Sequence, residues 1–204
     1  MIILSHRGFW LDPSEKNGLT AFERTIESGF GTETDIRDRD ASLVVSHDPA
    51  NGMVMDWLDL LDVFEGSGLP LAVNVKADGL VDMVASSLAG RNIEAFMFDM
   101  SGPETVRYDK AGLPFFTRHS DVERSPILYE SARGVWLDSF GPEWFGREVI
   151  ERHLDSGKKV CVVSSELHGR DARGLWDMLD ACRSYEGLMI CTDLPLQAAK
   201  RFTS

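Results

Sequence analysis

A chain of 204 residues that is 43% hydrophobic and 26% charged can build one domain with a sizeable core and is ordinary in composition for a soluble globular protein. Its 33 acidic residues against 21 Lys and Arg give a formal net charge of -12 and a pI near 4.8. That balance excludes a broad basic surface for nucleic acid or anionic membrane and confines any phosphate site to a local pocket.

In chain order, short β-branched runs alternate with helical patterns. The opening MIILSHRG holds a strand over 2–6, and its apolar run is too short for a signal peptide, so the expected location is the cytoplasm. An amphipathic helix over 19–28 follows, then TETDI (32–36), with SLVVSHD (42–48) as a hairpin continuation of that strand. A helix over 57–64 precedes LAVNV (71–75), where Asn74 and Lys76 share one face of a strand. A helix over 80–88, strands over 95–99, 114–118 and 134–138, a helix over 148–155, a strand over 159–164, a helix over 175–182 and a strand over 188–192 complete the pattern. Strand followed by helix, about eight times over, predicts an α/β protein of the (β/α)8 TIM-barrel class, with a doubly wound open sheet as the runner-up. At 204 residues it is compact, a single domain over 1–204 with short connecting loops. No stretch approaches the roughly twenty apolar residues that span a bilayer, so no membrane insertion is expected. Cys161, Cys182 and Cys191 are odd in number, lack metal-type spacing, and read as buried reduced thiols.

The polar chemistry gathers at predicted strand ends: His6 and Arg7, Glu33 and Asp35, His47 and Asp48, Asn74 and Lys76, Asp99, Arg118 and His119, Asp138, Glu166 and His168, and Asp193. In a barrel these ends form the active-site mouth. Glu33 and Asp35, two residues apart, project from one side of their strand and suit a hard cation, Mg²⁺ or Ca²⁺. Two imidazoles, His6 and His47, offer a proton acceptor and a proton donor, and Arg7 offers a bidentate phosphate clamp. These are the parts that phosphodiester cleavage needs.

The segments HRG (6–8), NGLTAF (17–22), GFGTETDIRDRD (29–40), VVSHD (44–48) and TDLP (192–195) resemble the glycerophosphodiester phosphodiesterase family, with the first fifty residues matching in order and spacing. The resemblance implies a (β/α)8 barrel that hydrolyses a small or lipid-derived glycerophosphodiester with a divalent metal. It implies His6 and His47 as the acid and base pair, Arg7 and Lys76 as phosphate contacts, and Glu33 and Asp35 as metal ligands.

Two departures follow. Lys16 stands at the family's usual glutamate position in an ungapped match and would face substrate, while a shift of one residue offers Glu15 instead. On the strand of Lys76 the family's ligand glutamate is replaced by Asn74, an oxygen donor without charge. Compensation is expected from Asp99, Asp138 or Glu166, with Glu166 counted among the metal ligands. His153 is expected on a solvent-facing helix surface, and Trp136 and Phe140 in core and pocket wall. Two other functions fit parts of the pattern: a barrel that binds a phosphate ligand without turnover, and a lyase or aldolase using Lys76 as Schiff-base nucleophile. The absence of room for a long insertion after SHD points to an open mouth or to one completed by a second copy in a homo-oligomer.

Overall fold

The computed structural model describes residues 1–203. Strands and helices alternate as β1 (Ile2–His6), α1 (Leu19–Glu27), β2 (Gly31–Arg39), β3 (Ser42–Val45), β4 (Met55–Asp56), α2 (Trp57–Phe64), β5 (Leu71–Val75), α3 (Val81–Leu88), β6 (Ala95–Phe98) and α4 (Gly102–Lys110). The second half continues with β7 (Phe116–His119), β8 (Gly134–Leu137), α5 (Arg147–Asp155), β9 (Lys159–Val163), α6 (Arg173–Asp180), β10 (Leu188–Thr192) and α7 (Pro195–Phe202). The expected α/β class is therefore observed. Contacts gather the chain into two compact units, residues 5–115 and a second made of residues 1–4 with those from 116 onward.

In the unit of residues 5–115, β2 is the central strand. It pairs antiparallel with β3 (Ile36 opposite Val45) as the predicted hairpin, and β3 pairs in turn with the short β4. On its other edge β2 runs parallel to β5 with Asp35 beside Asn74, and β5 runs parallel to β6 with Asn74 beside Phe98. The strand expected over 114–118 begins only at Phe116, because Phe115 contributes a single isolated bridge to Met97.

Helix α2 shows why this unit closes. Trp57, Leu60, Leu61 and Phe64 recur at i, i+3, i+4 and i+7 and are all buried, and the Asp56 carboxylate caps the helix by accepting the Leu58 N–H at 2.8 Å. They pack with Phe22, Ile36, Val73 and Tyr108 into one apolar cluster. All five residues of β5 are buried, as expected of a parallel strand covered on both faces, so Asn74 is held inside despite its amide.

The other unit stacks β7, β8, β9 and β10 as parallel neighbours. Gly134 starts β8 where a Cβ would lie 2.5 Å from the Phe116 ring and 2.6 Å from the Lys159 carbonyl oxygen, so only glycine fits there. Cys161, Cys182 and Cys191 are buried and unbridged, in line with the sequence reading. His153, expected at the surface, is instead 5% exposed. Its Nε2 meets His119 Nδ1 at 2.9 Å and its Nδ1 meets the Tyr129 hydroxyl at 2.8 Å. The reason is position: His153 falls on the side of α5 that carries buried Val149 and Ile150, and polar partners satisfy both ring nitrogens there. Among the described residues no helix is long and apolar enough to cross a membrane.

Candidate active site

The His6-Arg7-Gly8 turn ends β1 with two successive left-handed residues, Arg7 at φ 59° and Gly8 at φ 83°. The turn is pinned by the Arg7 N–H donating to the Glu33 carbonyl at 2.9 Å and the Gly8 N–H donating to Thr32 Oγ1 at 3.0 Å. Phe9 N–H then donates to Thr25 Oγ1 at 2.7 Å, anchoring the loop on α1. At Gly8 a Cβ would stand 2.7 Å from the Ala21 Cβ. These bonds aim His6 and Arg7 at the inner face of β2.

On β2, Glu33 and Asp35 are 2% and 0% exposed, and Thr32 and Thr34 on the other face are buried too. Asp35 Oδ2 receives the Arg7 guanidinium at 3.0 Å and a hydrogen bond from Asn17 Nδ2 at 3.0 Å. Asp35 Oδ1 faces Lys76 Nζ at 3.6 Å, and the same ammonium lies 3.6 Å from Asp99 Oδ2. Glu33 Oε1 accepts from Asn74 Nδ2 at 3.3 Å, and Glu33 Oε2 lies 3.8 Å from His6 Nε2. Burial first, and then the charge of Asp35, pushes the Glu33 carboxyl well above the usual carboxylate range. Burial lowers Lys76, opposed mainly by the Asp35 and Glu33 charges.

Three buried oxygens in this cluster have no hydrogen-bond partner: Glu33 Oε2, Asp35 Oδ1 and Asn74 Oδ1. Orphaned acceptors cost stability unless a cation or donor meets them. Their chemistry, two carboxylates and an amide oxygen on paired strands, fits a hard, oxygen-seeking divalent ion. Among the described residues no three His, Cys, Asp or Glu side chains group to hold a metal, and the Asn74 amide oxygen stands beside the two carboxylates.

His47 follows β3. Its carbonyl accepts from Arg37 Nε at 2.9 Å, and the preceding Ser46 N–H donates to the Asp35 carbonyl at 3.0 Å, which ties the loop to the end of β2. Its Nδ1 meets Asp48 Oδ1 at 3.0 Å, which turns that nitrogen to the carboxylate. A cavity of about 1260 Å³ is lined by Arg7, Lys16, Asn17, His47, Met53 and Met55, among others. It therefore opens on the Arg7 and His47 side of the cluster.

Glu15 and Lys16 lie in different surroundings. Glu15 Oε2 accepts from Arg24 Nη1 at 2.9 Å and from the Leu11 N–H at 2.8 Å, a structural ion pair. Lys16 lines the cavity instead. Asn17 opens the NGLTAF motif, and the sequence alone assigns it no role. Its Oδ1 accepts from Thr34 at 3.0 Å while its Nδ2 holds Asp35, and only the fold brings the position after a short 3-10 turn to the middle of β2. Glu166 lies in the other unit, where its carboxylate accepts from the Ser164 and Thr192 hydroxyls and from the Asp193 N–H. In that unit His168 Nε2 also meets the buried Asp138 Oδ1 at 2.8 Å.

The architecture, parallel strands alternating with helices, defines an α/β fold with titratable side chains gathered at strand ends. No family model and no curated protein matches this chain. Among solved structures, the chain is similar to an Oleispira antarctica phosphodiesterase in complex with the product sn-glycerol-3-phosphate. The TM-score is 0.73 at 14% identity, over 100% of this chain and 97% of that one. It is also similar to dihydropteroate synthase from Thermus thermophilus, with a TM-score of 0.50 at 15% identity, over 98% and 90% of the two chains. At these identities the likeness is one of fold.

Proposed function

We propose that the protein hydrolyses a glycerophosphodiester or a related phosphodiester, with His6 and His47 as the proton-transfer pair. The observation that carries this reading is the convergence of one imidazole, one guanidinium and one ammonium on the Glu33–Asp35 pair, with a second imidazole on the cavity that Arg7 lines. A site that only bound phosphate would need neither histidine. The full-length fold shared with a phosphodiesterase in complex with glycerol phosphate supports it. The reading carries with it one (β/α)8 barrel domain over residues 1–204, acting on a small molecule.

One histidine accepts the proton of the attacking hydroxyl, supplied by water or by the substrate's own neighbouring carbon. As the new P–O bond forms and the old one breaks, the other histidine protonates the leaving oxygen. Arg7 and Lys76 carry the positive charge for the non-bridging oxygens, and Asp35 positions both of them. Glu33, Asp35 and Asn74 would hold Mg²⁺ or Ca²⁺, which when bound adds positive charge at the phosphate. Lys76 as a Schiff-base nucleophile is disfavoured, because that reading leaves His6, His47 and the Arg7–Asp35 pair without a role.

The test is hydrolysis of a panel of glycerophosphodiesters and a chromogenic diester, with Mg²⁺, Ca²⁺ or chelator. His6→Ala and His47→Ala should each reduce kcat by about 10² to 10⁴. Full activity in both variants, or cleavage of no diester under any condition, would overturn the proposal.

A further inference from the structure

We infer that part of the cavity wall beside Arg7 and His47 is an apolar subsite, and that the preferred diester carries an alkyl or acyl chain on one of its two halves. The inference rests on the diesterase reading and names the substrate class for the same cavity.

The cavity that Arg7 and His47 line is also lined by Leu19, Val45, Met53, Val54 and Met55. Met53 is fully exposed and Leu19 is 47% exposed, while Val54 and Met55 are half-buried. The place of this wall is built. Val45 pairs with Met55 across β3 and β4, so the chain leaves the sheet just before His47 and returns to it at Met55. Between those points Gly52 turns with a φ of 69°, and its carbonyl accepts from Arg39 Nη1 at 2.8 Å, next to Met53. Leu19 opens α1 two residues after Asn17, whose N–H donates to the Arg7 carbonyl at 2.9 Å. One loop therefore carries both the His47 imidazole and the two methionines, and the segment bonded to Arg7 carries Leu19.

Single exposed apolar residues are ordinary, but three in succession on a loop hold apolar surface toward water, which a ligand's own apolar surface would cover. Charge on the cavity does not choose between substrates, because Arg7 and Lys16 stand against Asp48, Asp59 and Asp62. Most of these charges have partners: Arg7 meets Asp35 at 3.0 Å, Asp48 meets His47 at 3.0 Å, and Asp62 meets Arg91 at 2.7 Å. Lys16 Nζ lies 4.4 Å from the centroid of the Trp10 ring. Apolar area is therefore what distinguishes this wall, and methionine, unbranched and polarisable, adapts to a flexible chain. Continuity commits the occupant. A diester whose phosphate meets Arg7 lays what extends from it along a wall of the same cavity, whose volume of about 1260 Å³ exceeds the roughly 300–1,000 Å³ typical of small-molecule sites. A methylene chain is the group that gains most from that wall by leaving water.

The deciding measurement is kcat/KM on two matched pairs of diesters, each below the concentration at which it forms micelles. Glycerophosphocholine is compared with its hexanoyl ester on the carbon remote from the phosphate, which keeps the neighbouring hydroxyl, and glycerophosphoethanol is compared with glycerophosphohexanol. The expected result is a preference of about tenfold or more for the chain-bearing member of at least one pair, since each methylene taken fully out of water is worth about fourfold. The pair that shows it tells an acyl chain on the glycerol half from an alkyl chain on the alcohol. That ratio should fall about threefold or more in Met53→Ser, approach one when Leu19→Ser is added, and be retained in Met53→Leu. Ratios near one in both pairs, or an unchanged ratio in the double variant, would overturn the inference while leaving diesterase activity intact. A dimer in light scattering that Met53→Ser dissociates would overturn it too, by giving the wall to a second copy of the chain. Cleavage of none of the four would instead remove the diesterase reading itself.

Discussion

At Asp35 the arrangement of a few atoms decides what the site can do. Arg7, Asn17 and Lys76 all converge on one carboxylate that is 0% exposed, and Asn74 stands beside it on the paired strand. Because Asn74 contributes an oxygen without charge, Asn74→Glu should tighten Mg²⁺ or Ca²⁺ binding by about tenfold or more, read by calorimetry on the protein without substrate. No change in affinity would remove Asn74 from the ligand set. Asp99 is legible in the sequence only as an acid at a strand end, yet it holds a left-handed φ of 72° and lies 3.6 Å from Lys76 Nζ. Asp99→Asn should therefore lower kcat/KM by about tenfold in the unsubstituted protein and have little further effect in a Lys76→Met background, as a double-mutant cycle reports. Pairs such as Glu33 and Asp35 could be read from their spacing, since a strand alternates faces. The partner of each could not, because Asn17, Lys76 and Asp99 reach this cluster from three separate segments.

The elements were readable where their periodicity is strong. Helix α2 begins and ends where its i, i+3, i+4, i+7 apolar pattern does, and the β2–β3 hairpin follows the expected return of the chain. Short elements without such a signature escaped: β4 has two residues, and α4 has a strongly polar sequence, GPETVRYDK, whose Tyr108 alone carries a large buried side chain. The His6-Arg7-Gly8 turn shows what a motif means physically. Gly8→Ala would place a methyl group 2.7 Å from Ala21 Cβ at a φ of 83°. It should cost about 2 kcal/mol or more of stability, measured as a shift in the urea midpoint with an unchanged slope. A loss below about 0.5 kcal/mol would mean that the turn relaxes and does not fix Arg7.

For the molecule as a whole, stability should depend on pH through the His119–His153 pair. Burial first, then the charges of His119 and Arg152, lowers His153 to about 4, while His119 is lowered by burial, Arg124 and Arg152. Tyr129 also faces His153, and the Lys158 ammonium lies over the Tyr129 ring. Between pH 4 and 6.5 the unfolded chain binds the proton that folded His153 refuses. Stability from this group is therefore complete above about pH 6.5 and is lost as pH falls toward 4. Urea midpoints across that range should fall less steeply in His153→Gln than in the unsubstituted protein; parallel curves would contradict the assignment. The sequence places His153 outside because helical periodicity records which side of a helix is apolar and says nothing of a tyrosine and a second histidine arriving from other segments. By itself the sequence determined the α/β class, the order of the strongly periodic strands and helices, and the residue types at the strand ends, because those follow from local periodicity and spacing. Only the tertiary structure decided that Glu15 belongs to Arg24 and Lys16 to the cavity, that Asn17 and Lys76 hold Asp35, and that Glu33, Asp35 and Asn74 each keep a buried oxygen without a hydrogen bond. Each of those facts is a distance between segments far apart in the chain, and distance is what folding adds.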